Sequence, residues 1–217
     1  MAFPPAAVAT CYYIDRSSYS VKEVRDVKGD AASGSRERML EATIDLMRGS
    51  GLTGAGINEI VRASGAPKGS VYHFFPGGKL QIAAEALAIY SERVQAFLDG
   101  ALAGGRSAGE KVRALFDAFA RRVEEGDFRR SCAAGAVSLD LDVEVEELRA
   151  VLADAFADWT ALIARHFDLG DARRTKSFAG LVLTAIEGAY VRARAERSSK
   201  PFREAGTWLA ELAERRA

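Results

Sequence analysis

Cysteine, histidine and proline are scarce in this chain, and each shortage removes a class of function. Two cysteines, Cys11 and Cys132, lie far apart in 217 residues, which excludes a disulfide framework and a cysteine-rich zinc site. The half of the chain after residue 108 holds one histidine, His166, and one cysteine, Cys132. It shows no Ser/His/Asp ordering, no metal-ligand spacing and no phosphate loop. An enzyme needs such a polar constellation, so neither catalytic residues nor a metal or other cofactor is expected. No apolar run reaches membrane-spanning length, and the N-terminus lacks a basic region followed by an apolar core. A cytoplasmic protein with no membrane partner is expected. There is no internal repeat and no low-complexity tract. Runs of alternating β-branched residues are also missing, which points to an all-α fold. Net charge is absent too, with 30 basic and 30 acidic residues. That argues against bulk polyanion binding, although local charge decides whether a segment reads DNA.

What is present is an ordinary globular composition, 48% hydrophobic and 28% charged, in a chain long enough for one or two domains. Residues 1–35 stand apart. They hold Pro4-Pro5, the tyrosines Tyr12, Tyr13 and Tyr19, and a Gly29-Asp-Ala-Ala-Ser-Gly-Ser35 linker, and their charges cancel. A basic arm that tracks a DNA groove does not look like this. A disordered extension, or a start assigned too early, is expected.

From residue 36 onward helical periodicity dominates. The spacing predicts a first helix over 36–48, with Leu40, Ile44 and Met47 on one face, ended by Gly49-Ser-Gly51. A second helix is predicted over 57–63, with Ile57, Ile60 and Val61 inward. Gly65 makes the turn, and Pro67 starts a third helix where its missing N–H costs nothing. Pro76-Gly77-Gly78 ends that helix, and a long amphipathic helix follows over 79–102. Further helices are predicted over 110–125, 132–141, 144–167, 174–196 and 202–215.

The stretch Gly65-Ala-Pro-Lys-Gly-Ser-Val-Tyr-His-Phe-Phe-Pro-Gly-Gly78 carries the most information. Two short helices joined by a tight glycine turn have the geometry of a helix-turn-helix. Lys68, Gly69 and Ser70 at the start of the second short helix let the backbone approach a duplex, and Lys68 can reach phosphate or guanine acceptors. Tyr72 and His73 suit phosphate oxygens. Lys79 opens the next helix, where its ammonium and the free N–H groups both favour a phosphate. Val71 and Phe75 are expected inward. Between residues 36 and 79 there are six basic and four acidic residues, so the reader is only mildly basic. Taken singly, Tyr72, His73 and Lys79 each have a plain account as packing, a surface histidine and a solvated charge. Their order after the glycine turn gives them weight.

These residues resemble the N-terminal DNA-binding domain of the TetR family of bacterial transcriptional regulators, over Gly51, Ile57–Ile60, Gly65, Lys68-Gly69-Ser70-Val71-Tyr72, Phe75 and Lys79. The string from Ala66 to Lys79 is particularly similar to the LmrA/YxaF-like subgroup, and residues 132–167 resemble that subgroup's ligand domain more weakly. The resemblance implies a homodimeric repressor that a ligand releases from DNA. It implies a three-helix reader over 36–80 and a helical ligand-binding and dimerisation domain over 81–217, with a pseudo-palindromic duplex as partner. Two positions depart from the family pattern. Ala55 matches the place of a threonine that caps the second helix and touches phosphate, and such a hydroxyl contributes ~1 kcal/mol. Phe74 stands where a tyrosine or histidine is common. Fewer phosphate contacts than in typical relatives are expected.

The later half is aromatic and apolar. Phe116, Phe119, Val137, Phe156, Trp159 and Ile163 read first as core, yet a sensor needs a cavity among such residues with few polar groups to orient a ligand. Glu187 and Tyr190 share a helical face. A hydrophobic or aromatic effector held by these eight residues is expected. Asp140, Asp142, Glu144, Glu146 and Glu147 read as a solvated helix start. The last two helices, with small residues Gly180, Ala185, Gly188 and Ala189 and apolar Leu181, Val182, Ile186, Trp208, Leu209 and Leu212, are the expected dimer surface. Three readings remain open: a ligand-responsive repressor, a helix-turn-helix regulator without a small-molecule effector, and an all-α enzyme.

Overall fold

The computed structural model describes the backbone of residues 11–14, 21–24, 30–141 and 146–215 and the side chains from residue 34 onward. From residue 30 the described chain is all-α. Two short strands precede it, β1 (Cys11–Ile14) and β2 (Val21–Val24), paired antiparallel with Cys11 opposite Val24. The rest of the extension for which disorder was expected lies outside the described residues up to residue 29.

The helices are α1 (Asp30–Gly54), α2 (Ile57–Ser64), α3 (Ser70–Phe74), α4 (Gly78–Leu102), α5 (Ala108–Glu125), α6 (Ala133–Leu139), α7 (Glu146–Arg165), α8 (Ala172–Glu196) and α9 (Lys200–Glu214). Gly49-Ser-Gly51 ends the regular path of the first helix, as the sequence suggested: Ser50 and Gly51 leave helical geometry, Gly51 takes φ +65°, and a short helical turn resumes beyond the break to Gly54. A side chain at Gly51 would be strained and would run into the Asp140 carboxylate. The third helix begins later than expected. Pro67 and Lys68 form a turn in which Ser70 N–H donates to the Pro67 carbonyl at 3.0 Å, and the helix starts at Ser70.

Caps explain several helix starts. Ser107 and Glu110 form a reciprocal capping box on α5. The Asp171 carboxylate accepts from Arg174 N–H at 2.9 Å on α8, and Pro201 occupies the first turn of α9.

Met39, Met47, Ile60, Val71 and Phe75 are fully buried and pack α1, α2 and α3 around a small core. Arg36 stacks over Phe75 at 5.1 Å and pairs with the buried Glu85 of α4. Burial raises the Glu85 carboxyl, while Gln81 and Arg36 pull it down. The larger core joins α4, α5, α7, α8 and α9. Its centre is a ring cluster in which Phe119 meets Phe97 edge-on at 4.9 Å and stacks on Phe202 at 5.8 Å. Gly206 lets α9 lie against Phe116 of α5, where a Cβ would sit 2.6 Å from the Phe116 Cβ. Trp159 is buried and donates its indole N–H to the Ser91 hydroxyl at 3.0 Å. Among the described residues no helix is long and apolar enough to cross a membrane.

Candidate functional site

The reader is built so that its apolar side points down and its polar side points out. Val71 and Phe75 are fully buried, which orients α3. Lys68, Gly69 and His73 are then exposed, Ser70 is half-buried, and Tyr72 stands out with 62% of its surface accessible. Gly65 ends α2 in the left-handed conformation, with its N–H on the Val61 carbonyl, and this makes the sharp turn between the two short helices. Lys79 is half-buried in the first turn of α4. The structure therefore brings Lys68, Gly69, Ser70, Tyr72, His73 and Lys79 into one segment around α3. Phe74 is different. It packs against the core and meets His73 and Phe75 edge-on, at 5.1 and 6.4 Å.

The cap of α2 lies one residue beyond Ala55, where the resemblance had placed it. Gly56 is the N-cap, with extended backbone and no side-chain hydrogen bond, while Ala55 is buried with 1% exposure. The missing hydroxyl is thus a property of Gly56. A polar group at residue 55 would enter the core.

The expected effector residues divide in two. Phe156, Glu187 and Tyr190 line a cavity of about 720 Å³. Phe116, Phe119, Val137, Trp159 and Ile163 are buried in the packed core and do not line it. Helical spacing marks a buried face but does not separate a filled interior from a hollow one. The cavity wall adds residues that sequence reasoning missed, chiefly Gly49-Ser50-Gly51 of α1, Cys132 at the cap of α6, Asp140 at its end, and Arg194 of α8. The one signal available was Gly135, which leaves the room that the Glu187 carboxylate fills.

This wall belongs to both halves of the protein. The Arg194 guanidinium donates to the Gly49 carbonyl at 2.7 Å. Asp140 accepts from Thr53 N–H at 2.9 Å, and Arg48 and Ser131 exchange hydrogen bonds, with Ser131 N–H on the Arg48 carbonyl at 2.9 Å. The end of α1 is therefore fastened to α6 and α8 at the cavity's edge.

Burial sets the chemistry inside. The Glu187 carboxyl is pushed up to about 7 by desolvation, against the pull of a hydrogen bond from the Cys132 thiol. Burial and the neighbouring Glu187 charge raise the Cys132 thiol well above its ordinary range, so it is a poor nucleophile. Tyr90 and Tyr190 are likewise raised by burial and stay neutral. No cluster of metal-ligating side chains occurs among the described residues.

The expected dimer surface also divides. Val182, Ile186, Ala189 and Leu209 face the interior of the same chain. Leu181, Trp208 and Leu212 are exposed, and Gly180 and Gly188 border open space.

Comparison with known proteins agrees with this geometry. Residues 39–86 match the family model for bacterial regulatory proteins of the tetR family, and residues 108–207 match that for the C-terminal domain of LmrA/YxaF-like transcriptional regulators. The HTH-type transcriptional regulator Rv0196 of Mycobacterium tuberculosis is 35% identical, over 78% of this chain and 89% of its own. LmrA of Bacillus subtilis is 26% identical, over 83% and 97%. The fold matches a regulatory protein TetR from Rhodobacter sphaeroides with a TM-score of 0.73, at 21% identity over 82% of this chain and 97% of that one. It also matches the TetR-family regulator CifR, solved with a 26-base-pair operator duplex, with a TM-score of 0.72 at 20% identity over 88% and 100%.

Proposed function

This chain belongs to the TetR family of DNA-binding transcriptional regulators, and from that premise we propose that it is a homodimeric repressor released from its operator by a small hydrophobic or aromatic molecule. In this reading Lys68, Gly69, Ser70, Tyr72, His73 and Lys79 contact the duplex. Lys68 and the glycine beside it approach the groove, and the tyrosine, histidine and second lysine hold phosphates. One five-residue helix reads few bases. Two copies set one DNA turn apart, ~34–36 Å, read a pseudo-palindrome. The exposed Leu181, Trp208 and Leu212, with the open glycines of α8, supply apolar area for the second copy.

The observation that carries the effector reading is the shared cavity wall. Gly49-Ser50-Gly51 belongs to the reader's first helix, while Cys132, Glu187 and Tyr190 belong to the sensor. Five of the eight residues expected around an effector fill a packed core, so the reading rests on the cavity at its edge, where Leu139 and Val191 are exposed. A molecule seated in this cavity meets the segment that fixes α1 to α6 and α8. It shifts the equilibrium only by the difference in its affinity for the operator-competent and operator-incompetent arrangements.

The test is a compound screen by thermal shift, followed by operator binding in fluorescence anisotropy. Compounds that raise the melting temperature are expected to weaken operator binding by tenfold or more at saturation. Stabilising compounds that all leave operator affinity unchanged would remove the release reading.

A further inference from the structure

The charges around the cavity are unevenly matched. Of the two carboxylates on its wall, Asp140 already holds Thr53 N–H. The one guanidinium on the wall, that of Arg194, is spent on the Gly49 carbonyl. Glu187 has only the Cys132 thiol, and among the described residues no ion pair involves it. The surroundings are apolar or aromatic. Phe156 and Tyr190 lie on the wall, and the exposed Leu139 and Val191 sit beside it.

We propose that this cavity takes an aromatic molecule carrying a single cationic nitrogen, with Glu187 as the carboxylate that pairs with it and Phe156 and Tyr190 as the aromatic wall. The inference rests on the reading of this cavity as the effector site. A protonated amine supplies what Glu187 lacks, a donor with a full positive charge. In a partly desolvated site such a hydrogen bond is stronger than one between neutral groups. Aromatic faces add cation–π attraction to the same charge. An anion would meet two carboxylates, and the one local cation is already engaged. A neutral alcohol could donate to Glu187 but gains no ion pair.

The pairing also fixes a pH dependence. The groups facing Glu187 are the Cys132 thiol at the cap of α6 and the Tyr190 hydroxyl of α8, with the Tyr90 hydroxyl of α4 behind them on Cys132, all raised by burial and neutral near pH 7. Arg48 of α1 lies over the Tyr90 ring at 5.9 Å, Arg194 of α8 is bound to the Gly49 carbonyl, and Asp140 accepts from Thr53 N–H. Glu187 is therefore the group that changes charge near neutrality, with its carboxyl at about 7. The cation needs the ionised form, so its affinity is expected to fall about tenfold between pH 8 and pH 6.

The experiment is calorimetric titration of the full chain, without DNA, at pH 8 with three isosteres: 1-naphthylmethylamine as the cation, 1-naphthalenemethanol as the neutral probe and 1-naphthoate as the anion. The cation is expected to bind at least tenfold tighter than the alcohol, and the anion weakest. In Glu187→Gln, checked for folding by circular dichroism, the cation and the alcohol are expected within about twofold of each other. Equal or tighter binding of the alcohol or the anion by the unmodified protein overturns the assignment. So does a cation preference that survives in Glu187→Gln, or no binding by any of the three. Because DNA is absent, the result stands apart from the release reading. A cation that binds through Glu187 but leaves the operator bound would sustain this assignment and defeat release. An uncharged compound that releases the operator independently of Glu187 would do the opposite.

Discussion

The reader and the sensor treat their polar side chains in contrary ways. Around α3, Lys68, Tyr72 and His73 are held in water by a small buried base of Val71 and Phe75. In the sensor, Glu187, Cys132 and Tyr190 are drawn inward, and burial shifts the proton equilibrium of each. An exposed side chain costs the fold little when it is changed, so its role shows up in binding. A withdrawn one is tied to stability, to pH and to whatever enters the cavity beside it. The two regions meet where the broken end of α1 is fastened by Arg194, Asp140 and Ser131.

The largest effect expected from this contrast is in the sensor core. Trp159→Ala removes a fully buried ring and the partner of the Ser91 hydroxyl, and should cost ~3–5 kcal/mol in urea unfolding. Tyr72→Ala should move stability by less than ~0.5 kcal/mol while weakening operator binding by tenfold or more. Comparable destabilisation by the two substitutions would break the contrast.

Next in size is the pH dependence of Glu187. Its carboxyl lies at about 7 in the folded chain against 4.5 ordinarily. The folded state therefore holds the proton more tightly. The resulting stability is complete below pH 4.5 and is lost as pH rises through 7, amounting to about 3 kcal/mol at most. Urea unfolding of Glu187→Gln should lack that decline between pH 5 and pH 8, and an unchanged slope would show that Glu187 is not its source.

A smaller effect separates two neighbouring positions. Ala55→Thr places a hydroxyl in the reader's core and should destabilise by ~1–3 kcal/mol. Gly56→Ser supplies the absent cap of α2 and should stabilise by a few tenths of a kcal/mol. If the serine hydroxyl also reaches phosphate, the salt dependence of operator binding steepens by about one unit of slope. Stabilisation by the threonine instead would put the cap back at residue 55.

Much of this fold was legible because helical periodicity and glycine–proline punctuation act locally. The inward faces of α2 and α3 followed from Ile60, Val71 and Phe75, and the reader's polar residues followed from the glycine turn before them. What escaped was set by distant contacts. Gly49-Ser-Gly51 stops the regular helix as it reads, but the short turn beyond it and the packing of the break against Asp140 were not legible. Ala55 and Gly56 are adjacent small residues, and burial alone tells them apart. The pairing of β1 with β2 was hidden in a segment whose composition suggested no order. Spacing could not distinguish Trp159, which fills the core, from Phe156, 5.4 Å from it, which borders the cavity.

The account rests centrally on a reader that works in pairs. Selection of bound duplexes from random DNA by the full chain tests it most directly. The enriched sequences should be two-fold symmetric, with half-sites whose centres lie about one helical turn or a multiple of it apart, and Lys68→Ala should lose the enrichment. Recovery of a single asymmetric site, or equal recovery of all sequences, would contradict it.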